Sequence, residues 1–210
     1  MTDVTRALEQ IAEIHSQLAK SEIYRGWRSA PVAVSGAIGL VAAWCQSTWS
    51  RPIEPIAFVS FWLIVAIAAF AVGSAEIATH FFSRATPTER RRTRQVLGQF
   101  LPALVAGLLV TIALTQLNPV FVTVLPGLWA LFFGTATFSA RPYLPSSSGF
   151  IAAFYWTAGF VLLWTCRDAA TLSPWAVGGT FGAGQLLTAA VLYWHVERGM
   201  TRGATTSRQD

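Results

Sequence analysis

Charge is scarce in this chain: 12% of its 210 residues are Asp, Glu, Lys or Arg, against 53% hydrophobic. That leaves too little polar surface to cover a soluble core. Lysine is nearly absent, one against fourteen arginines, a bias which together with abundant Ala and Gly points to a GC-rich bacterial genome. Cys45 and Cys166 are the only cysteines, so there is neither a disulfide framework nor a Cys-pair metal motif. A Gly-rich phosphate loop, a haem-attachment sequence and a nucleotide fingerprint are missing too. The sequence therefore gives no warrant for catalysis and indicates no cofactor. Alternating polar and apolar residues are also lacking, which excludes a membrane β-barrel. The start, "TDVTRALEQIAEIHSQLAK", has neither the basic-then-apolar order nor the small-residue cleavage site of a secretory signal.

The chain does contain long apolar runs. With a mean hydropathy of +0.48 and nine Trp, it offers six windows near the 20 residues that a helix needs to cross a bilayer, at about 30–49, 56–78, 98–117, 119–138, 149–166 and 174–196. The reading is an all-α polytopic membrane protein with three regions. Residues 1–28 form a cytoplasmic amphipathic helix with an anchor, 29–197 a bundle of six transmembrane helices, and 198–210 a disordered tail.

The basic residues set the expected threading. With both ends inside, the cytoplasmic segments hold 13 of the 15 Lys and Arg residues, leaving Arg51 and Arg167 outside. The expected location is the bacterial inner membrane, N-in and C-in.

Val4, Leu8, Ile11, His15 and Leu18 recur at helical spacing, the apolar stripe of an amphipathic helix. Tyr24, Arg25, Trp27 and Arg28 follow it as an aromatic and basic anchor at headgroup level. In "SRATPTERRRTRQ", Thr86 and Glu89 make a capping box with Pro87 at the first helical position. Arg90, Arg91, Arg92 and Arg94 then lie on the first turns of a helix that continues into the third span, as a topology anchor. Asn118 and Ser173 precede prolines in cap positions. Pro126-Gly127 and Gly178, Gly179, Gly182 and Gly184 mark two Gly- or Pro-interrupted helices.

Read as three hairpins, the spans carry a weak repeat: "VGSAEI" (72–77), "FGTATF" (133–138) and "FGAGQL" (181–186). It makes Glu76, Thr137 and Gln185 equivalent and predicts that the three second helices converge. Shared small-residue packing accounts for the same pattern.

Glu76 and His80 stand one helical turn apart at the end of an apolar run. An intramembrane carboxylate is costly facing lipid, so Glu76 is expected to face the bundle with His80 as partner. Two readings stand side by side, a packing contact and an ion or proton site that also takes in Thr137, Gln185 and His195. His15, His80 and His195 can reach one cytoplasmic depth and are weak metal candidates, though no spacing among them matches a defined metal site. Cys45 and Cys166 come near the same outer surface, where a disulfide can persist. Ser148-Gly149 in "PSSSGF", taken with His195, resembles the Ser/His pair of rhomboid intramembrane proteases, which would imply an intramembrane enzyme. The family's glycine two residues before the serine is Ser146 here, and both residues fall at cytoplasmic ends, so a serine-rich turn is the better reading.

Two functions survive. The first is a non-catalytic accessory or sensory subunit that presents its N-terminal helix to a protein partner or a second copy. The second is a small transporter or channel-like protein with a polar site around Glu76 and His80. The bilayer is a partner in either case, and nucleic acid is not expected.

Overall fold

The structure, a computed structural model, describes residues 29–49, 53–83, 87–144, 147–166 and 172–194. The elements are six α-helices: α1 (Ser29–Ser47), α2 (Pro55–Ser83), α3 (Pro87–Leu117), α4 (Leu125–Ser139), α5 (Ser148–Cys166) and α6 (Pro174–Leu192). Short 3-10 segments at Pro119–Val124 and Arg141–Tyr143 flank α4, and no strand occurs among the described residues. All six helical segments are long and apolar enough to cross a membrane, the fourth when Val120–Ser139 is taken as one span. This is the architecture of a multi-pass membrane protein.

Of the expected start signals, Pro87 and Asn118 are met and the Ser173 cap is not, while Thr86 and the Glu89 side chain lie outside the described residues. Pro87 opens α3, and the helix runs on without a break to Leu117, through Pro102, so the arginines and the third span share one rod. Asn118 caps the following 3-10 segment, its side chain accepting from the Val120 amide at 2.9 Å. Ser173 holds the N-cap position of α6, but its hydroxyl makes no capping bond.

Two helix pairs carry the tightest packing, α1 with α6 and α4 with α5. Both are antiparallel and both rest on glycine. A Cβ on Gly36 would lie 3.1 Å from the Gly182 carbonyl oxygen, and one on Gly178 would overlap Ala43 and lie 2.5 Å from the Gly39 carbonyl oxygen. In the other pair, a Cβ on Gly159 would lie 2.8 Å from the Gly127 carbonyl oxygen. Small residues let the backbones touch, the usual basis of helix association where lipid tails are as apolar as leucine.

Two of the sequence expectations change here and a third holds. The three-hairpin arrangement is not the packing unit, because the closest partners are the first span with the last and the fourth with the fifth. The sixth span is not interrupted: α6 is continuous, and its glycines serve close approach to α1 and to Tyr155. The fourth span does change form, from 3-10 to α at Leu125, and Pro126 sits in the first turn of α4 where a missing N–H costs nothing.

Around the pairs, three tryptophans tie neighbouring helices through the indole N–H. Trp62 of α2 donates to Gln46 of α1 at 2.9 Å, Trp129 of α4 to Thr111 of α3 at 2.8 Å, and Trp156 of α5 to Thr135 of α4 at 3.3 Å. The bundle end where α1 finishes is filled by Ala42, Ala43, Phe58, Val59, Trp62, Val122, Leu125 and Val177, an apolar cluster shared by α1, α2, α4, α6 and the 3-10 segment. At mid-bundle, Phe133, Tyr155 and Phe181 form a triangle with centroids 4.7 to 5.6 Å apart, joining α4, α5 and α6.

Candidate functional site

The opposite end, where α1 and α5 begin and α4 and α6 finish, is built differently. Here the seam between the two tight pairs opens into a small cavity of about 30 Å³, lined by Phe133, Thr137, Leu144, Ser148, Ile151, Gln185, Thr188, Val191 and Leu192. Four of these side chains are polar, and three of the four are buried: Thr137 and Ser148, 4% and 2% exposed, and Thr188.

Their hydrogen bonding defines what the cavity offers. Thr137 donates its hydroxyl proton to the Phe133 carbonyl at 2.9 Å, and Thr188 donates to the Gly184 carbonyl at 2.7 Å. Both threonines turn their hydroxyl onto the preceding helical turn, as serine and threonine do in apolar helices, so each has only oxygen lone pairs left to present. Ser148 is the first residue of α5 and its buried hydroxyl has no hydrogen-bond partner among the described residues. The neighbouring Ser147 hydroxyl and the fully buried Tyr155 hydroxyl are also without one. Tyr155 is wedged against Gly184, where any Cβ would overlap its ring.

Of the residues singled out from sequence, Thr137 and Gln185 come together on this cavity from different spans, in line with the expected convergence of the fourth and sixth helices. No described side chain of α2 lines the cavity, and the Glu76 side chain lies outside the described residues. Glu76 and His80 occupy the last two turns of α2, but their side chains lie outside the described residues. Of their described neighbours, Ala75 and Thr79 are exposed, and a Cβ on Gly73 would meet nothing within 4 Å among the described residues.

His15, His195 and the anchor residues Tyr24, Arg25, Trp27 and Arg28 lie outside the described residues, as do the amphipathic helix and the C-terminal tail. Among the described residues no group of three or more His, Cys, Asp or Glu could hold a metal ion. Arg90, Arg91 and Arg94 are exposed and, with Gln95, line an open groove at the start of α3, while the Arg92 side chain lies outside the described set. Cys45 and Cys166 are both free thiols, so the expected disulfide is not made. Cys45 lies on an exposed face of α1, a helix that packs on α6 and α2, while α5, which carries Cys166, packs on α4 and α6.

Sequence reasoning set Ser148 aside as part of a turn and did not single out Thr188. The available signal was spacing: Thr188 follows Gln185 by three residues, which puts both on one helix face. Compared with known proteins, the chain matches no family model, no curated protein and no solved structure.

Proposed function

We propose that the chain is a non-catalytic accessory subunit of the bacterial inner membrane, threaded N-in and C-in, that works through contact with a protein partner. One observation carries this reading. The spans of α2 and α3 are the least buried within the chain, at 17%, against 22% for α5, 33% for α1 and 44% for the fourth and sixth spans. These two helices are also the longest, at 29 and 31 residues. They hold Glu76, His80 and the arginine cluster at their joined ends, so the least packed part of the bundle is also its most chemically marked. The amphipathic helix of residues 1–28, read from sequence, adds a second presenting surface on the same side.

The test is a photo-reactive side chain placed at Ile67 on α2 or Leu104 on α3, both exposed, in cells that make the full chain. The expected result is a discrete protein adduct that weakens when residues 2–22 are deleted. Adducts with lipid alone would overturn the reading. For the threading, single cysteines at Thr88 and Ser207 should be shielded from an impermeant thiol reagent and one at Thr171 labelled.

A small transporter is the second reading, favoured by the meeting of Thr137 and Gln185 on one cavity. Its test is ion or proton flux in proteoliposomes, abolished by Glu76→Gln in a protein that still assembles. Flux equal to that of empty vesicles would remove it.

A further inference from the structure

We propose that the cavity between α4, α5 and α6 is a hydration site that holds one water molecule, with Ser148 as its anchor. It goes beyond the accessory reading and is independent of it.

Size comes first. About 30 Å³ is room for a single water, since roughly 10–15 Å³ of such space is the minimum and two to four polar partners are needed. Neither phosphate nor an organic substrate fits.

The chemistry of the lining selects further. The Thr137 and Thr188 hydroxyl protons are committed to backbone carbonyls of their own helices, so a ligand there must donate to two oxygens. The buried Ser148 hydroxyl has no partner among the described residues, so the ligand must also accept one proton. Two donations and an acceptance are what water supplies, and Gln185 offers a fourth contact. Ammonium is of similar size but has only donors and would leave the Ser148 proton unpaired. A bare sodium ion takes only lone pairs and would likewise leave the Ser148 proton unpaired.

Electrostatics act in the same direction. Ser148 is the first residue of α5, so the cavity lies at a partly positive helix start, which disfavours a cation.

The position gives the water a role. Glycine contact seals α1 on α6 and α4 on α5, but the seam between the pairs has fewer backbone contacts. A water shared by Thr137, Ser148 and Thr188 is a polar link between α4, α5 and α6 at the end away from the Phe58–Trp62 cluster.

X-ray hydroxyl-radical footprinting of the full chain in nanodiscs tests this, because radicals formed from a bound water modify the side chains that touch it. Ile151 and Leu192, each 3% exposed, line the cavity, whereas Val59 and Val177, 6% and 5% exposed, lie in the apolar cluster at the other end and do not line it. Modification of Ile151 and Leu192 is expected and Val59 and Val177 should stay unmodified, although they are slightly more exposed. Ser148→Val, which fills the space and removes the anchor, should bring Ile151 and Leu192 down to the level of the two valines. Thr188→Val keeps the volume and should lower the signal in the same direction, which provides a second reading if Ser148→Val does not fold. Ile151 and Leu192 as silent as Val59 in the unmodified chain, or equal modification in a folded variant, would overturn the proposal.

Discussion

Gly178 and Gly73 are the same residue in two apolar helices, yet the structure treats them oppositely. Gly178 on α6 has Ala43, the Gly39 carbonyl and the Trp62 ring pressed where its Cβ would be, while Gly73 on α2 has nothing within 4 Å. The difference separates two parts of the molecule. One is the glycine-sealed core of α1, α4, α5 and α6, where fold information is stored as backbone contact. The other is made of α2 and α3, whose spans the chain covers least: α2 rests on α1 through the Phe58–Trp62 turn, and α3 rests on α4 through Phe100, Gly107 and Thr111. Glycine content does not make a helix–helix interface unless a partner backbone stands opposite it.

The largest effect is expected where that contact is closest. Gly178→Leu forces α6 away from Gly39 and Ala43 of α1 and from Trp62 of α2, and backbone atoms cannot yield as a flexible side chain can. Overpacking of this kind costs about 3 kcal/mol or more. The variant should fail to give a monodisperse peak on size-exclusion chromatography. A normal peak with unchanged unfolding in a denaturant titration would show that α1 and α6 are not sealed as described.

Next comes the tie between core and α2. Gln46 is 1% exposed, and its carbonyl oxygen accepts from the Trp62 indole at 2.9 Å. Gln46→Leu strands that N–H in an apolar cluster, at a cost of about 1–3 kcal/mol for an unsatisfied buried donor. The Gln46 amide nitrogen is itself unpartnered, so part of that cost is offset by its removal. A double-mutant cycle with Trp62→Phe separates the two effects, and the pair should be less destabilised than the sum of the singles. Strict additivity would mean the bond contributes nothing.

The tie between core and α3 is weaker. Thr111 donates to the Gly107 carbonyl at 2.7 Å and accepts from Trp129 at 2.8 Å. Thr111→Val keeps the shape and removes both bonds. Interhelical polar contacts of this kind average about 0.6 kcal/mol in membranes. Unfolding followed by Trp fluorescence should show a shift of that order, with the Trp129 emission changed. An unaltered Trp129 signal would contradict the bond.

The same contrast explains what could be read in advance. Helix positions follow from local chemistry, and hydropathy, Pro87 and Asn118 gave the spans and two of their starts because each signal acts within a few residues. Partner choice is not local: nothing near Gly36 or Gly127 says that they face Gly182 and Gly159. For the candidate site, Thr137 and Gln185 were legible as polar residues at matching places in apolar windows. Ser148 was not, because a serine in a serine-rich turn looks solvated until a helix packs over it, and Thr188 was hidden by its ability to bond its own helix.

The smallest effect is expected at Gly73. A leucine there meets no atom of the described chain, so no overpacking term arises, and replacing glycine inside a helix gains intrinsic propensity, up to about 1 kcal/mol in water. Gly73→Leu should therefore unfold within about 0.5 kcal/mol of the unmodified protein or slightly above it, as purified protein in detergent. The informative comparison is with the cell membrane. If a protein partner covers α2, the added side chain meets that partner, and the adduct formed from a photo-reactive group at Ile67 should fall while the purified variant remains as stable as before. Loss of stability in detergent would instead place another part of this chain against Gly73. An unchanged adduct from Ile67 would mean that the partner leaves this turn of α2 uncovered.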